Sequence, residues 1–401
     1  MEITQNDKLN RLNGILIACF LFQYSLLIPV MGYINPTILV AVAGLLIDFL
    51  VLLYNYRKNL NMKVILFAVL MVLVLSLKSL IDAEGDMTIL FYFSAIAGPA
   101  VIVFLYDFDR TTFFDWGYKL AIINFVINCL GPVLPNYSYM RFGYGMTVTV
   151  IFLYIQIRRF PKRPKLVLTV DLAIMTITIF EILMYGARGA FFVLLLFFAL
   201  DIFFVQHKKT FRNFFLLGIG AILYLNLLPI ILAFESFSHK VGVYSYSITK
   251  FRIQLVQGWV SSDSGRSYYY RAAIEKIKRR PVFGNPIDLG IDEGDYVHNI
   301  FLQVGQDLGL IALGVLVAFL VFVLLKLLNQ NVVSEDKMML TVFLSVSVGR
   351  LLFSSTLWKR PEFWMLVCFA LSMKGALSNS DYTNAQRNKI YCSEKTTQEN
   401  I

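Results

Sequence analysis

Apolar residues in this chain stand in long unbroken blocks, not in stripes at helical spacing or in strict alternation. Blocks of about twenty such residues are the length at which a helix crosses the hydrocarbon core of a bilayer. Their placement predicts twelve spans, at 12–31, 35–54, 63–81, 89–107, 117–134, 142–157, 166–184, 190–206, 213–233, 304–327, 338–355 and 361–378. A soluble domain would show amphipathic stripes, and an outer-membrane barrel would alternate. The pattern excludes both. The expected architecture is all-α and polytopic, a single transmembrane domain over residues 1–378 with a polar tail at 379–401.

One connection breaks the rhythm of short loops. Roughly 70 residues, 234–303, separate the ninth and tenth spans, and connections that long are uncommon unless functional or disordered. This one is rich in Tyr, Ile and Val, which argues for order. Its stretch from Ser267 to Arg280 reads as an amphipathic helix. Tyr270, Ala273, Ile274 and Ile277 share one face, the cations lie elsewhere, and Pro281 ends it. Such a helix lies flat at a lipid interface, as an anchor or as a surface that recruits phosphate.

Composition agrees: 58% of the 401 residues are hydrophobic and 15% are charged. The net charge of +10 would suggest nucleic acid in a soluble protein. Here it records topology and implies no nucleic-acid partner. Arg57, Lys58 and Lys63 follow the second span, Arg158, Arg159, Lys162, Arg163 and Lys165 the sixth, and His207, Lys208, Lys209 and Arg212 the eighth. By the positive-inside rule these loops and both termini face the cytoplasm, and the 234–303 loop lies outside. The first apolar block lacks a small-residue cleavage site and reads as a span, not a signal peptide. Cys19, Cys129, Cys368 and Cys392 show no metal or disulfide spacing.

Ionisable residues within or beside spans are costly and point to function. Arg188 stands in Tyr185–Gly186–Ala187–Arg188–Gly189–Ala190, a tight outer turn whose small residues leave the guanidinium and the start of the next helix open to an anion. Arg266 follows Ser264–Gly265 at the start of the loop helix, with Arg271 one turn on. Arginine grips phosphate oxygens through paired hydrogen bonds. His298 ends the acidic run Asp292–Glu293–Gly294–Asp295 and precedes Asn299 where the loop meets the membrane. A histidine near its normal pKa accepts a proton from a hydroxyl, and a neighbouring carboxylate such as Asp295 orients its ring. Arg350, Lys359 and Arg360 fall at the same outer level. Asp107–Phe108–Asp109 reads as loop charge, not as a metal-binding pair. Each arginine and His298 also has an ordinary reading, as a snorkelling, solvated or capping residue.

Together these segments resemble the O-antigen ligase and polymerase family of membrane glycosyltransferases. Ala187–Arg188–Gly189–Ala190 is like the family's small–Arg–Gly–Ala turn. Gly265–Arg266, the Tyr268–Tyr270 aromatics and Pro281–Val282–Phe283–Gly284 are similar to its Gly–Arg, aromatic, helix and Pro–x–Phe–Gly run. His298–Asn299 followed by Leu302, Asp307 and Gly309 is similar to its His–Asn–x–x–Leu pattern. The similarity covers about residues 170–325. Tyr270 stands where the family often has Trp, and Asn285–Pro286 follow Gly284 where Gly–x–Gly is common.

The resemblance implies a fold of the GT-C-like kind and a donor glycan carried on polyprenyl pyrophosphate, without cofactor or metal. By position Arg188 and Arg266 would hold the pyrophosphate and His298 would be the base, with Arg271, Asp295, Asn299 and Arg350 in support. It implies a polymerase of capsule, exopolysaccharide or O-antigen repeat units in the bacterial cytoplasmic membrane, beside a flippase and a chain-length regulator. A ligase moving finished glycan to another acceptor shares these motifs. The rival from a different class is a lipid-linked glycan flippase, but neither the internal repeats nor the midplane site common in transporters is evident.

Overall fold

The computed structural model describes residues 4–82, 88–133, 138–206, 226–240, 246–257, 266–287 and 297–373. Among them the regular structure is helical throughout. The helices are α1 (Gln5–Leu26), α2 (Pro36–Asn55), α3 (Met62–Ile81), α4 (Thr88–Tyr92), α5 (Gly98–Val103), α6 (Arg110–Asn128), α7 (Tyr139–Arg159) and α8 (Lys165–Tyr185). They continue as α9 (Arg188–Leu200), α10 (Leu227–Lys240), α11 (Tyr246–Gln257), α12 (Arg266–Arg279), α13 (Ile300–Leu328), α14 (Ser334–Leu351) and α15 (Pro361–Ser372).

Among the described residues, six helical stretches are long and apolar enough to cross a membrane: α2, α3, α7, α8, Arg188–Val205 and α13. Several present apolar side chains outward. Leu46, Phe49, Leu66 and Leu73 are more than half exposed, a surface suited to lipid. The protein is thus an all-helical protein of membrane class.

The helices stand close to the apolar blocks, with two differences. The block at 89–107 is two helices joined by a π-turn, Phe93–Ala97. Pro99 lacks an N–H and would crowd the carbonyl four residues back, and a widened turn just before it relieves that clash. Around the expected end of the ninth span, α10 runs through Phe234 to Lys240 without interruption. The loop expected from 234 therefore starts inside a helix, and most of that span and the 379–401 tail lie outside the described residues.

The centre of the bundle is α7, buried almost continuously from Phe142 to Ile155 and packed on α1, α6, α8, α9 and α14. Its neighbours carry small residues where they approach. A Cβ on Gly117 of α6 would run into the Phe152 ring. Phenylalanines fill the adjoining layer, with Phe343 edge-on to Phe104 at 5.9 Å and to Phe369 at 5.5 Å. Polar contacts tie helices together within it. Asn124 donates to Thr149 Oγ1 at 2.8 Å, and the Asn13 and Asn55 amides bond each other reciprocally at 3.0 and 2.7 Å. In an apolar surround such bonds are worth most to specificity of packing.

Charge separates between the two ends of the bundle. At the end where α7 and α9 finish and α8 begins, Arg163 pairs with buried Asp171 at 2.7 Å and Arg159 with Asp115 at 3.0 Å. Arg158 pairs with buried Asp201 there. The opposite end, where α7, α9, α13 and α15 begin and α1 and α14 finish, carries the residues considered next.

Candidate active site

Two sequence segments that stand apart in the chain form one junction. After α12, the turn Pro281–Gly284 lies across a break in α13 at Gly309. Gly284 has φ +74° and Gly309 φ +84°, conformations in which a side chain is strained. Each glycine also faces the other segment's backbone. A Cβ on Gly284 would stand 2.5 Å from the Asp307 carbonyl carbon, and one on Gly309 would strike the Val282 carbonyl oxygen. Leu310 N–H donates to Pro281 O at 2.7 Å and Asn285 N–H to Gln306 O at 2.8 Å, replacing bonds the helix loses at its break. Lys78 of α3 donates to Asn285 O at 2.8 Å and pairs with Asp82 at 2.8 Å, pinning the junction to the bundle.

The first two turns of α13 also hold the turn before α15. Buried Asp307 accepts from Trp358 Nε1 at 3.1 Å, and Gln303 Oε1 accepts from Leu357 N–H at 3.0 Å. Asp307 is thus a structural anchor. Ala273 of α12 is fully buried and Ile277 reaches Gly305 of α13, whereas Tyr268 and Ile274 are exposed. Ile274 therefore parts from the face it was expected to share with Ala273, because one helical residue is a rotation of about 100°.

This junction fixes Arg266 and His298 at the starts of α12 and α13. Their proximity shows in two ways: Tyr269 meets His298 edge to face at 6.4 Å between ring centres, and the Arg266 charge acts on the imidazole. His298 is half-buried with φ +53°. Burial first, then Arg266, pushes its pKa down to about 4. The expected near-normal value is therefore not found, because the ring sits beside a cation in a poorly solvated place. At neutral pH the imidazole is uncharged and able to accept a proton. Asn299 caps α13, its Oδ1 accepting from Phe301 N–H at 2.9 Å and Leu302 N–H at 3.2 Å. Its side-chain oxygen serves that cap. Asp295, Glu293 and the rest of that acidic run lie outside the described residues.

Arg266 Nη2 donates to the carbonyl of Phe353 at 3.0 Å. The Phe353 ring stacks on Phe192 of α9 at 4.7 Å. A Cβ on Gly189, at the start of α9, would lie 3.2 Å from Phe353 Cβ and would collide with the Tyr144 hydroxyl. Phe353 therefore links the start of α12, which carries Arg266, to the start of α9, where Arg188 is the first residue and half-buried. Ala187 N–H donates to Tyr139 O at 3.1 Å and sets the angle at which α9 begins.

Arg350 is buried, its guanidinium 4.6 Å from both the Tyr24 and Tyr144 ring centres and 3.7 Å from Glu362 Oε1. Its carbonyl accepts from Phe353 N–H at 3.1 Å, so it shapes the turn that receives Arg266. Arg271 is exposed, and its nearest described acceptor is the Ser267 carbonyl of its own helix at 3.4 Å.

Tyr24, Tyr144, Phe353 and Glu362 were not among the expected site residues. Glu362 had a signal, a charge opening the last apolar block. Tyr24 and Tyr144 sit inside apolar blocks and had none. Asp109 of the Asp107–Asp109 turn caps α6, accepting from Thr112 N–H at 3.1 Å.

The fold and this end of the bundle define a helical membrane protein with arginines and a neutral histidine gathered at one end. No protein-family model, no curated protein and no solved structure matches the chain.

Proposed function

We propose that this chain is a polyprenyl-pyrophosphate-dependent glycosyltransferase of the bacterial cytoplasmic membrane, with twelve spans and an extracytoplasmic site, that polymerises lipid-linked oligosaccharide repeat units into a surface polysaccharide. The observation that carries this reading is the placing of Arg266 beside an uncharged His298, with the Arg188 helix start tied to Arg266 through Phe353. A cation next to a neutral base suits a reaction that releases an anion while taking up a proton.

In that reaction the acceptor hydroxyl oxygen attacks the anomeric carbon of the donor glycan. The bond from that carbon to the pyrophosphate oxygen breaks, and the pyrophosphate leaves with the electron pair. His298 takes the hydroxyl proton, and Arg188 and Arg266 hold the leaving group. Pyrophosphate is a good leaving group, so positioning and charge stabilisation supply most of the rate. Binding of the anion offsets the Arg266 charge and raises the basicity of His298 at the moment it is needed.

The test is the size and lipid attachment of surface glycan in a deletion strain carrying wild type or His298→Ala. Exported single repeat units with His298→Ala are expected. Full-length chains left on the carrier would replace polymerase by ligase. Units trapped inside would replace it by flippase. Normal product from His298→Ala, Arg188→Ala and Arg266→Ala would overturn the site.

A further inference from the structure

The break at Gly309 divides α13 into two parts of opposite character. Before it, Gln303, Gln306 and Asp307 are buried polar residues. After it, Leu310, Ile311, Val315, Val321 and Leu325 are apolar and exposed. At 1.5 Å per residue Leu310–Leu328 is about 28 Å long, close to the roughly 30 Å of a bilayer's hydrocarbon core. Lys326 and Asn329 mark its far end. The second part is therefore long enough to cross the hydrocarbon alone, which sets Gly309 at the level where the helix leaves it.

α3 ends at the same level. Its last turn exposes Leu77, Leu80 and Ile81, while Lys78 and Asp82 meet the junction. Between these two helix ends lies the turn Pro281–Gly284, held by the bond from Leu310 N–H to Pro281 O. Val282 is 45% and Phe283 67% exposed. Side chains so open and apolar are suited to lipid, and they lie beside the outward apolar residues of α3 and α13. The face of α12 that carries Ala273 and Ile277 is taken by protein, since Ala273 is buried and Ile277 reaches Gly305.

The turn is preceded by three exposed cations, Lys278, Arg279 and Arg280. Lys278 pairs with Glu275 at 2.8 Å. Asp82 is shared between Lys78 at 2.8 Å and Arg280 at 3.7 Å. Among the described residues of this cluster, positive charge is therefore in excess, and Arg279 and Arg280 carry it. Cations beside an apolar anchor suit an interface with anionic lipid, and a guanidinium matches phosphate oxygens. Arg279 and Arg280 stand about 20 Å along α12 from Arg266 at 1.5 Å per residue, at the other end of the helix from the site described above.

We propose that this turn is a lipid-held anchor: Val282 and Phe283 insert into the bilayer, and Arg279 and Arg280 bind the headgroup phosphate of an anionic phospholipid. The lipid thereby holds the junction that positions Arg266 and His298. The proposal needs only a membrane-spanning bundle and holds whether or not the protein transfers glycan.

The experiment is tryptophan fluorescence of the full chain carrying Phe283→Trp in lipid nanodiscs, read as the difference from wild type, which has four tryptophans. Lipid brominated on the acyl chain near the headgroup should quench the added emission, and iodide in the water should not. At equal mole fraction, brominated phosphatidylglycerol should quench about twofold or more over brominated phosphatidylcholine. Adding Arg279→Gln and Arg280→Gln should remove that excess and leave quenching by the neutral lipid. Both positions are exposed, so the folded chain should tolerate the change.

Quenching by iodide without quenching by brominated lipid would overturn the insertion. Equal quenching by the two lipids, or an excess that survives the glutamines, would overturn the headgroup site. Loss of the excess in inorganic phosphate, but not in chloride of equal ionic strength, would assign the arginines to free phosphate and overturn the lipid.

Discussion

Arg266 hydrogen-bonds the backbone carbonyl of Phe353, 87 residues away in sequence, while the Phe353 ring stacks on Phe192 three residues after Gly189. One residue thus receives the start of one helix on its backbone and the start of another on its ring. Arg266→Lys keeps the charge but loses the planar fork that can hold the carbonyl and an anion together. Polymer made by a complemented strain should fall by about tenfold or more, equivalent to roughly 1.4 kcal/mol. Wild-type chain lengths on a gel would show that charge alone suffices there.

The glycine junction makes a second expectation. Gly309→Ala puts a side chain at φ +84° and against the Val282 carbonyl, whereas a Cβ on Gly314 of the same helix meets nothing within 4 Å. Strain of this kind costs on the order of 1–3 kcal/mol. In thermal unfolding of the detergent-solubilised protein, Gly309→Ala should melt well below wild type. Gly314→Ala should match it or rise slightly, because alanine favours helix. Equal melting of the two variants would mean that the α12–α13 contact is not as tight as described.

His298 gives the protein a pH dependence of calculable sign. Its folded-state pKa of about 4 lies below the ordinary 6.5, so between those values the unfolded chain binds a proton that the folded chain does not. The His298 contribution is therefore favourable above about pH 6.5 and is lost as the pH falls toward about 4. His298→Gln should flatten that part of a melting-temperature profile. In transfer kinetics the acid limb of kcat/KM should fall near pH 4 and that of kcat at higher pH, because bound pyrophosphate offsets Arg266. Coincident limbs would separate His298 from the anion.

The far end of the bundle offers a contrast between partners. Asp171 is buried, accepting from Tyr118 Oη at 2.9 Å and from Arg163 at 2.7 Å. Removing Arg163 leaves that carboxylate buried without its cation, whereas Asp171→Asn removes the charge itself. Arg163→Ala should lower the melting temperature more than Asp171→Asn. The reverse order would assign the stabilisation to the Tyr118 bond.

Much of this was legible in the sequence because the chain is so apolar. In such a background Arg188, Arg266 and His298 stand out by type, and each falls where an apolar block or an amphipathic stretch begins. The helical class follows from the blocks themselves. Asn299 was visible but its work was not, since a cap and a substrate ligand look alike before the helix start is known. Tyr24 and Tyr144 were hidden, because a tyrosine within an apolar block carries no sign of the guanidinium it faces. The π-turn at Phe93–Ala97 was equally hidden, since hydropathy does not register how a helix adjusts around Pro99.

The interlocked glycines have a consequence for how this protein can be rebuilt. Gly284 is shaped by the backbone around Asp307, and Gly309 by the backbone around Val282, so neither segment has its conformation without the other. A chimera exchanging only the stretch around Arg266, or only the stretch around His298, would graft a surface onto a mismatched mould. The exchangeable module is the whole of 266–310, and a shift of one residue in either half would be transmitted to both ends of the site.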